Sequence, residues 1–244
     1  VRLAIFSAFP QEIKETVRNL KAVKESGTHP FPLFLAEYLS KKVVVALSGM
    51  GSMNAETALE YVCVRYDPEF ILSLGFGGAL YEGAKIGEII WSGRFFLVGE
   101  DLMETLESTG AIEALGKVSC DFSIREGSIL TIEKWTAKSE IKKFLTPGIS
   151  FPVCDMETFF LAKLSKKKGL PFMAVRAVTD LVDEEIPPEF LSVSDETGTY
   201  QMSRALRLVF SKPTLLKNII RIGRNSGVAS NNLSQFVKAL IEVI

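Results

Sequence analysis

Lys42-Val43-Val44-Val45-Ala46-Leu47-Ser48-Gly49-Met50-Gly51-Ser52-Met53-Asn54-Ala55 reads as a strand, a glycine turn and the start of a helix in direct succession. Val43–Leu47 is an unbroken apolar, largely β-branched run, the pattern of a strand covered on both faces. Met53–Tyr66 then sets Ala55, Ala58, Leu59 and Val62 on one helical stripe. Between them, Gly49 and Gly51 let the backbone turn tightly and aim N–H groups at an anion or a polar ligand. A strand-to-helix turn with no ligand would carry the same glycines. The segment is not a dinucleotide fingerprint, because Asn54 stands where the third glycine belongs. That departure argues against a nicotinamide- or flavin-dependent oxidoreductase.

The same alternation continues on both sides. Strands are expected at Leu3–Ser7, Leu33–Tyr38, Phe70–Leu74, Gly87–Leu97, Val118–Phe122, Ser128–Ile132 and Phe172–Ala177. Helices are expected from Pro10, where a missing N–H costs nothing, and over Leu102–Leu115, Ser139–Phe144 and Met156–Lys168. The last third reads as three amphipathic helices, Tyr200–Phe210, Leu215–Arg224 and Leu233–Val243, separated by Pro213 and Gly227. Alternating strands and helices predict an α/β fold with three layers. The absence of a linker or repeat predicts one domain over residues 1–244, with a helical C-terminal extension from about residue 199.

Composition narrows the function. Of 244 residues, 47% are hydrophobic, enough for one large core. Lys+Arg is 28 and Asp+Glu 29, so no basic face is implied and nucleic acid or an anionic membrane is a poor partner. No apolar run reaches the roughly 20 residues that span a bilayer, and the opening Val1–Phe6 is too short for a signal core. Cys63, Cys120 and Cys154 are far apart, fit no disulfide framework or metal spacing, and point to a reducing, cytoplasmic compartment. His29, in Thr28-His29-Pro30, reads as a turn residue. No metal or organic cofactor is expected.

Four further segments carry polar chemistry at predicted strand ends, where ligands gather in open α/β sheets. Glu12 follows strand one, in a helix first turn where the dipole also favours an acid. Gly75-Phe76-Gly77-Gly78-Ala79 has more glycine than a turn needs, as backbone lying against a ligand would, or chain packed closely on chain. Cys154-Asp155-Met156-Glu157-Thr158 and Arg176-Ala177-Val178-Thr179-Asp180 each put acids after an apolar strand, where burial favours the protonated form. Asp155 alternatively caps the helix behind it, and Asp180 alternatively starts a turn.

In this order and at these separations, Glu12, Ser48-Gly49-Met50-Gly51, Gly75–Ala79, Met156-Glu157 and Arg176–Asp180 resemble the purine nucleoside phosphorylase and nucleosidase superfamily, in particular the methylthioadenosine/S-adenosylhomocysteine nucleosidases. The likeness covers roughly residues 1 to 183. It implies a three-layer αβα sandwich around a mixed, twisted sheet, and cleavage of the N-glycosidic bond of a purine nucleoside, 5′-modified adenosine above all. It gives Asp180 the proton for N7 of the base, which would require an apolar or negatively charged surrounding. It gives Glu157 the ribose hydroxyls, with Met156 as the floor below the sugar. Trp135, Ile132 and Thr179 fall near the base, and Ser48, Gly49, Gly51, Gly75 and Phe76 near the nucleophile or a phosphate. Glu12 matches the residue that activates water. The superfamily's phosphorylases carry an arginine before the glycine-rich loop where this chain has Leu72-Ser73-Leu74, so water is favoured over phosphate. The tail, from Asp180-Leu181-Val182-Asp183 through Ile186-Pro187-Pro188 to Ser211-Lys212-Pro213, resembles the hopanoid-associated phosphorylases, thought to act on adenosylhopane. Phe76 and the missing arginine also leave open a nucleoside-binding protein without turnover. Family likeness implies a homo-oligomer, dimer or hexamer.

Overall fold

The computed structural model describes residues 2–99, 103–108, 117–184 and 216–244. One twisted mixed sheet organises them. β1 (Leu3–Ser7) pairs in parallel with β4 (Lys41–Leu47) on one side and β5 (Ile71–Ala79) on the other. β2 (Val23–Lys24) and β3 (Leu33–Tyr38) extend the sheet beyond β4 as antiparallel neighbours. Beyond β5 come β11 (Pro152–Asp155), β10 (Ser128–Ile132), β7 (Arg94–Val98) and β8 (Met103–Glu107). β12 (Phe172–Asp180) also pairs with β5, and links to β6 (Ile89–Ser92) and through it to β9 (Ile124–Glu126).

Strand alternation divides the core into two faces. Ala4, Phe6, Val44 and Ala46 face α2 (Ser52–Tyr66) and α4 (Thr158–Lys167), packing with Leu59, Val62, Phe159 and Leu161. Leu3, Ile5, Val43 and Val45 face α1 (Pro10–Asn19) and the C-terminal helix α5 (Leu216–Val243), packing with Ile13, Leu233, Phe236 and Leu240. Helices therefore cover both sides of the sheet, the three layers that the sequence implies. A short helix, α3 (Lys138–Ile141), continues as a 3-10 turn, Lys142–Phe144.

Several expectations are corrected. The helix expected over Leu102–Leu115 is strand β8 where the chain is described, Met103–Glu107, because Met103 and Leu106 point into core clusters while the segment pairs with β7; residues 109–116 lie outside the described residues. The long strand Gly87–Leu97 breaks at Gly93, where the Ser92 hydroxyl accepts from Arg94 N at 2.9 Å and donates to Arg94 O at 2.7 Å. Val118–Phe122 is not a strand; the strand there is β9, and Val118 and Phe122 pack as side chains on the α1–α5 face. The two helices expected on either side of Gly227 are one, α5. Its buried stripe of Ala229, Leu233, Phe236, Val237 and Leu240 outweighs the roughly 1 kcal/mol a helical glycine costs. The helix expected at Tyr200–Phe210, and residues 199–215 generally, lie outside the described residues.

Two assignments matter for the site. Gly75–Ala79 is no loop: β5 runs through it to Ala79, paired with β12 along most of its length. Likewise β12 includes Asp180 as its last residue.

Candidate active site

β1 and β5 stay paired only as far as Ser73. Beyond that point β5 leaves its neighbour, and the opening is filled by the start of α1. Glu12 is the third helical residue. Its Oε2 accepts from Ala8 N at 3.1 Å, Phe9 N at 2.9 Å and the Ser7 hydroxyl at 2.6 Å, which satisfies the N–H groups of the cap residue Phe9 and of the residue before it. Its Oε1 accepts from Phe76 N at 2.8 Å, an N–H that β1 no longer pairs. Burial pushes the Glu12 carboxyl up, against the pull of the Ser7 and Phe76 bonds.

The glycines of β5 make room for side chains. A Cβ on Gly75 would lie 2.7 Å from Glu12 Oε1, one on Gly77 3.1 Å from Arg176 Cβ, and one on Gly78 2.7 Å from Asp180 Oδ2. Their φ values are ordinary, so space rather than backbone conformation requires them. Side chains of Glu12, Arg176 and Asp180 occupy the space beside these glycines.

Gly49 and Gly51 differ, with φ of 82° and 90°, values few other residues adopt. Gly51 immediately precedes α2 as its cap residue, and its N–H donates to Glu157 Oε1 at 3.0 Å. Glu157 itself precedes the first turn of α4. Its carboxyl is pushed up to about 8, by burial first and by the neighbouring Asp155 charge second. Glu12 and Glu157 line one small cavity with Ser48, Gly75, Phe76 and Arg176. The N–H groups of Gly51 and Phe76, expected near the nucleophile, are thus engaged by the protein's own carboxyls.

Below this cavity lies a buried ion pair. Arg176 donates to Asp155 Oδ2 from Nε at 3.0 Å and Nη2 at 2.5 Å, and to the Ser73 hydroxyl at 2.8 Å. Thr131 donates to Asp155 Oδ1 at 2.7 Å, and Thr158 N donates to Oδ2 at 3.2 Å. Asp155 thus bonds the first N–H of α4, but Glu157 and not Asp155 holds the cap position because the helix begins at Thr158, and Asp155 is also the anchor of Arg176. An arginine inside the apolar strand Phe172–Val178 is a legible signal that a buried acid must face it; which acid is not legible locally.

Asp180 stands at the Gly78 notch. Along β5 that is roughly 10 Å from the Gly75 notch, at about 3.3 Å per residue, and Asp180 is not among the residues lining the cavity of Glu12 and Glu157. Its Oδ1 accepts from the Thr179 hydroxyl at 2.8 Å. Its Oδ2 lies 2.5 Å from Lys138 Nζ, both side chains being about 5% exposed. This corrects the expectation of an apolar or negatively charged surrounding: Asp180 is buried, but beside a cation. Lys138 has no sequence signal, since it enters from a short helix with no local pattern.

The remaining candidates divide. Thr179 is bonded to Asp180, and its carbonyl accepts from Asn225 of α5 at 2.8 Å. Met156 is half-buried beside the cluster of Leu130, Ile132 and Ile141, and Ile132 is a core member of it. Trp135 is 37% exposed in the turn after β10 and does not line the cavity. His29 packs on Tyr61. A wider groove, lined by Lys21, Val23, Glu37, Lys42 and Tyr66 among others, lies at the starting end of β4 and away from these acids. Among the described residues no cluster of His, Cys, Asp and Glu could hold a metal, and no helix is long and apolar enough to cross a membrane.

A sheet covered by helices on both faces, with carboxyls gathered after three strands and two of them seated in glycine notches, defines an α/β protein of the nucleoside phosphorylase type. A family model described as the Phosphorylase superfamily matches residues 2–209, and the chain belongs to that superfamily. It is 25% identical over 232 residues to a 5′-methylthioadenosine/S-adenosylhomocysteine nucleosidase of Buchnera aphidicola, covering 87% of this chain and 97% of the relative. The nucleosidase of the same name from Neisseria meningitidis, solved with methylthio-immucillin-A, superposes with a TM-score of 0.73 at 19% identity, over 100% of this chain and 99% of that one. Futalosine hydrolase of Helicobacter pylori superposes with a TM-score of 0.74 at 16% identity, over 100% and 98%.

Proposed function

We propose that this chain is an N-ribosyl hydrolase that releases the base from a purine nucleoside, 5′-modified adenosine being the favoured class. The observation that carries this reading is the shared cavity of Glu12 and Glu157, on the end of the sheet where Asp180 also stands. Breaking the bond builds positive charge on the ribose and negative charge on the base. Asp180 serves the base, held by Thr179, and Glu157 takes the 2′ and 3′ hydroxyls over Met156. The growing ribosyl cation favours an ionised Glu157, so a carboxyl poised near 8 binds the transition state better than the ground state. Glu12 orients and deprotonates water. Ile132 and Trp135 complete the base end.

Water is favoured over phosphate by the site's electrostatics. The N–H donors of Gly51 and Phe76 serve carboxyls, and Arg176 is committed to Asp155. A phosphate would have to displace these carboxyls from their N–H donors and would meet no unengaged arginine among the cavity's lining residues. The three unpaired thiols support a reducing compartment such as the cytoplasm, and the superfamily likeness supports a homo-oligomer.

Incubation with methylthioadenosine, adenosylhomocysteine, adenosine and inosine, with and without phosphate, tests the reading by chromatography of the free base. Release without phosphate is expected. No release from any of the four would defeat it, and release that requires phosphate would make the enzyme a phosphorylase.

A further inference from the structure

We propose that the proton received by the departing base comes from Lys138, with Asp180 as its conduit. The inference rests on the reading of Asp180 as the group facing the base. A carboxylate that forms an ion pair carries no proton of its own to give, and here the ion pair is short, buried and well supported. Lys138 Nζ lies 2.5 Å from Asp180 Oδ2. The same ammonium donates to the Leu181 carbonyl at 2.5 Å and to the Asp180 carbonyl at 3.3 Å. These contacts fix the ammonium against one carboxylate oxygen. The Thr179 hydroxyl donates to the other oxygen at 2.8 Å, again the pattern of an accepting carboxylate. Gly78 leaves the space for both partners, since a Cβ there would lie 2.7 Å from Asp180 Oδ2 and 3.1 Å from Lys138 Cε. Glu184, nearby in the chain, accepts from Leu181 N and pairs with Arg221.

The step balances without a further reagent. As the bond between C1′ and the base breaks, its electron pair enters the purine ring. N7 takes a proton through Asp180, and Asp180 takes one from Lys138 Nζ. The pair ends as an amine beside a carboxylate. Water adds to C1′, and the proton it sheds restores the ammonium through solvent. The net change is nucleoside plus water to ribose product plus neutral base.

Two substrates separate a proton source from a structural support. A purine nucleoside needs the proton, whereas the phenolate of 4-nitrophenyl β-ribofuranoside departs without one. In Lys138→Met, base release is expected to fall by about 100- to 10,000-fold, the usual range for loss of a general acid, while nitrophenol release falls by less than about 10-fold. Lys138→Arg keeps the charge, but a guanidinium does not give up its proton, so it should lose base release equally. Near-normal base release in either variant overturns the proposal. So does an equal loss on both substrates, which would make Lys138 a support for the fold. A readout on the pair itself is independent of turnover: the infrared difference between wild type and Asp180→Asn near neutral pH. Disappearance of an ionised carboxylate band is expected, and disappearance of a protonated carboxyl band overturns the proposal. If the wild type releases no base at all, the proposed function fails, and the infrared result still decides the state of the pair.

Discussion

Replacing Glu157 by Gln should stabilise the protein at alkaline pH and leave it unchanged in acid. The folded chain raises this carboxyl from 4.5 to about 8, so the native state holds a proton that the unfolded chain releases above its ordinary value. Where the unfolded state binds fewer protons, stability falls as pH rises. The penalty therefore grows between about pH 4.5 and 8 and is constant above the folded value. At 1.4 kcal/mol per unit, the fall between pH 5 and 8 approaches about 4 kcal/mol. The carboxyl is only half-buried, with an edge on the cavity, and solvent there reduces the figure to roughly 2–4 kcal/mol. Gln keeps the shape and the acceptor for Gly51 N but has no proton to lose. Urea unfolding of both proteins at pH 5 and pH 8 reads the difference. The two should differ by about 1 kcal/mol or less at pH 5, and Glu157→Gln should be the more stable by roughly 2–4 kcal/mol at pH 8. Parallel loss of stability in both proteins would refute the reasoning, because Glu12 and every other titrating group is common to the pair.

Gly75→Ala sets a methyl group 2.7 Å from Oε1 of Glu12, whose carboxyl is pinned by four donors in all, and should cost about 1–3 kcal/mol in thermal or urea unfolding; in a Glu12→Ala background the same change should cost at least 1 kcal/mol less, as a double-mutant cycle would report. Arg176→Met leaves Asp155 buried without its cation and should cost about 3–5 kcal/mol, with much of that loss recovered in Arg176→Met/Asp155→Asn. Gly227→Ala meets no atom within 4 Å inside α5 and should raise stability by about 0.5–1 kcal/mol; a loss in unfolding measurements would show that the helix is not continuous there.

The parts of the fold legible in the sequence are those whose burial is two-sided or strictly periodic. Val43–Leu47 and Leu3–Phe6 are apolar throughout, and α2 carries its stripe at the right interval. Segments failed where one pattern serves two structures. Met103–Glu107 has a spacing that suits a helix, and only its pairing with β7 makes it a strand. Gly227 looks like a helix end because its sequence does not show the core stripe that carries α5 across it. At the site, the acids were legible because each follows an apolar run, and the glycines were legible as unusual. Their purpose was not, since the notches at Gly75 and Gly78 are filled by Glu12 and by Asp180 with Lys138, partners distant in the chain. Lys138 was invisible for the same reason: a lysine opening a short polar helix is ordinarily solvated, and only the packing of α3 against the end of β12 buries it.

Hydrolysis of a purine nucleoside is tested most directly by running the reaction in oxygen-18 water with phosphate present and weighing the sugar product. Incorporation of one labelled oxygen at C1′ in the wild type, with both the label and the free base lost together in Asp180→Asn and Glu12→Gln, is the predicted result. A sugar phosphate without label, or intact nucleoside after prolonged incubation, would contradict it.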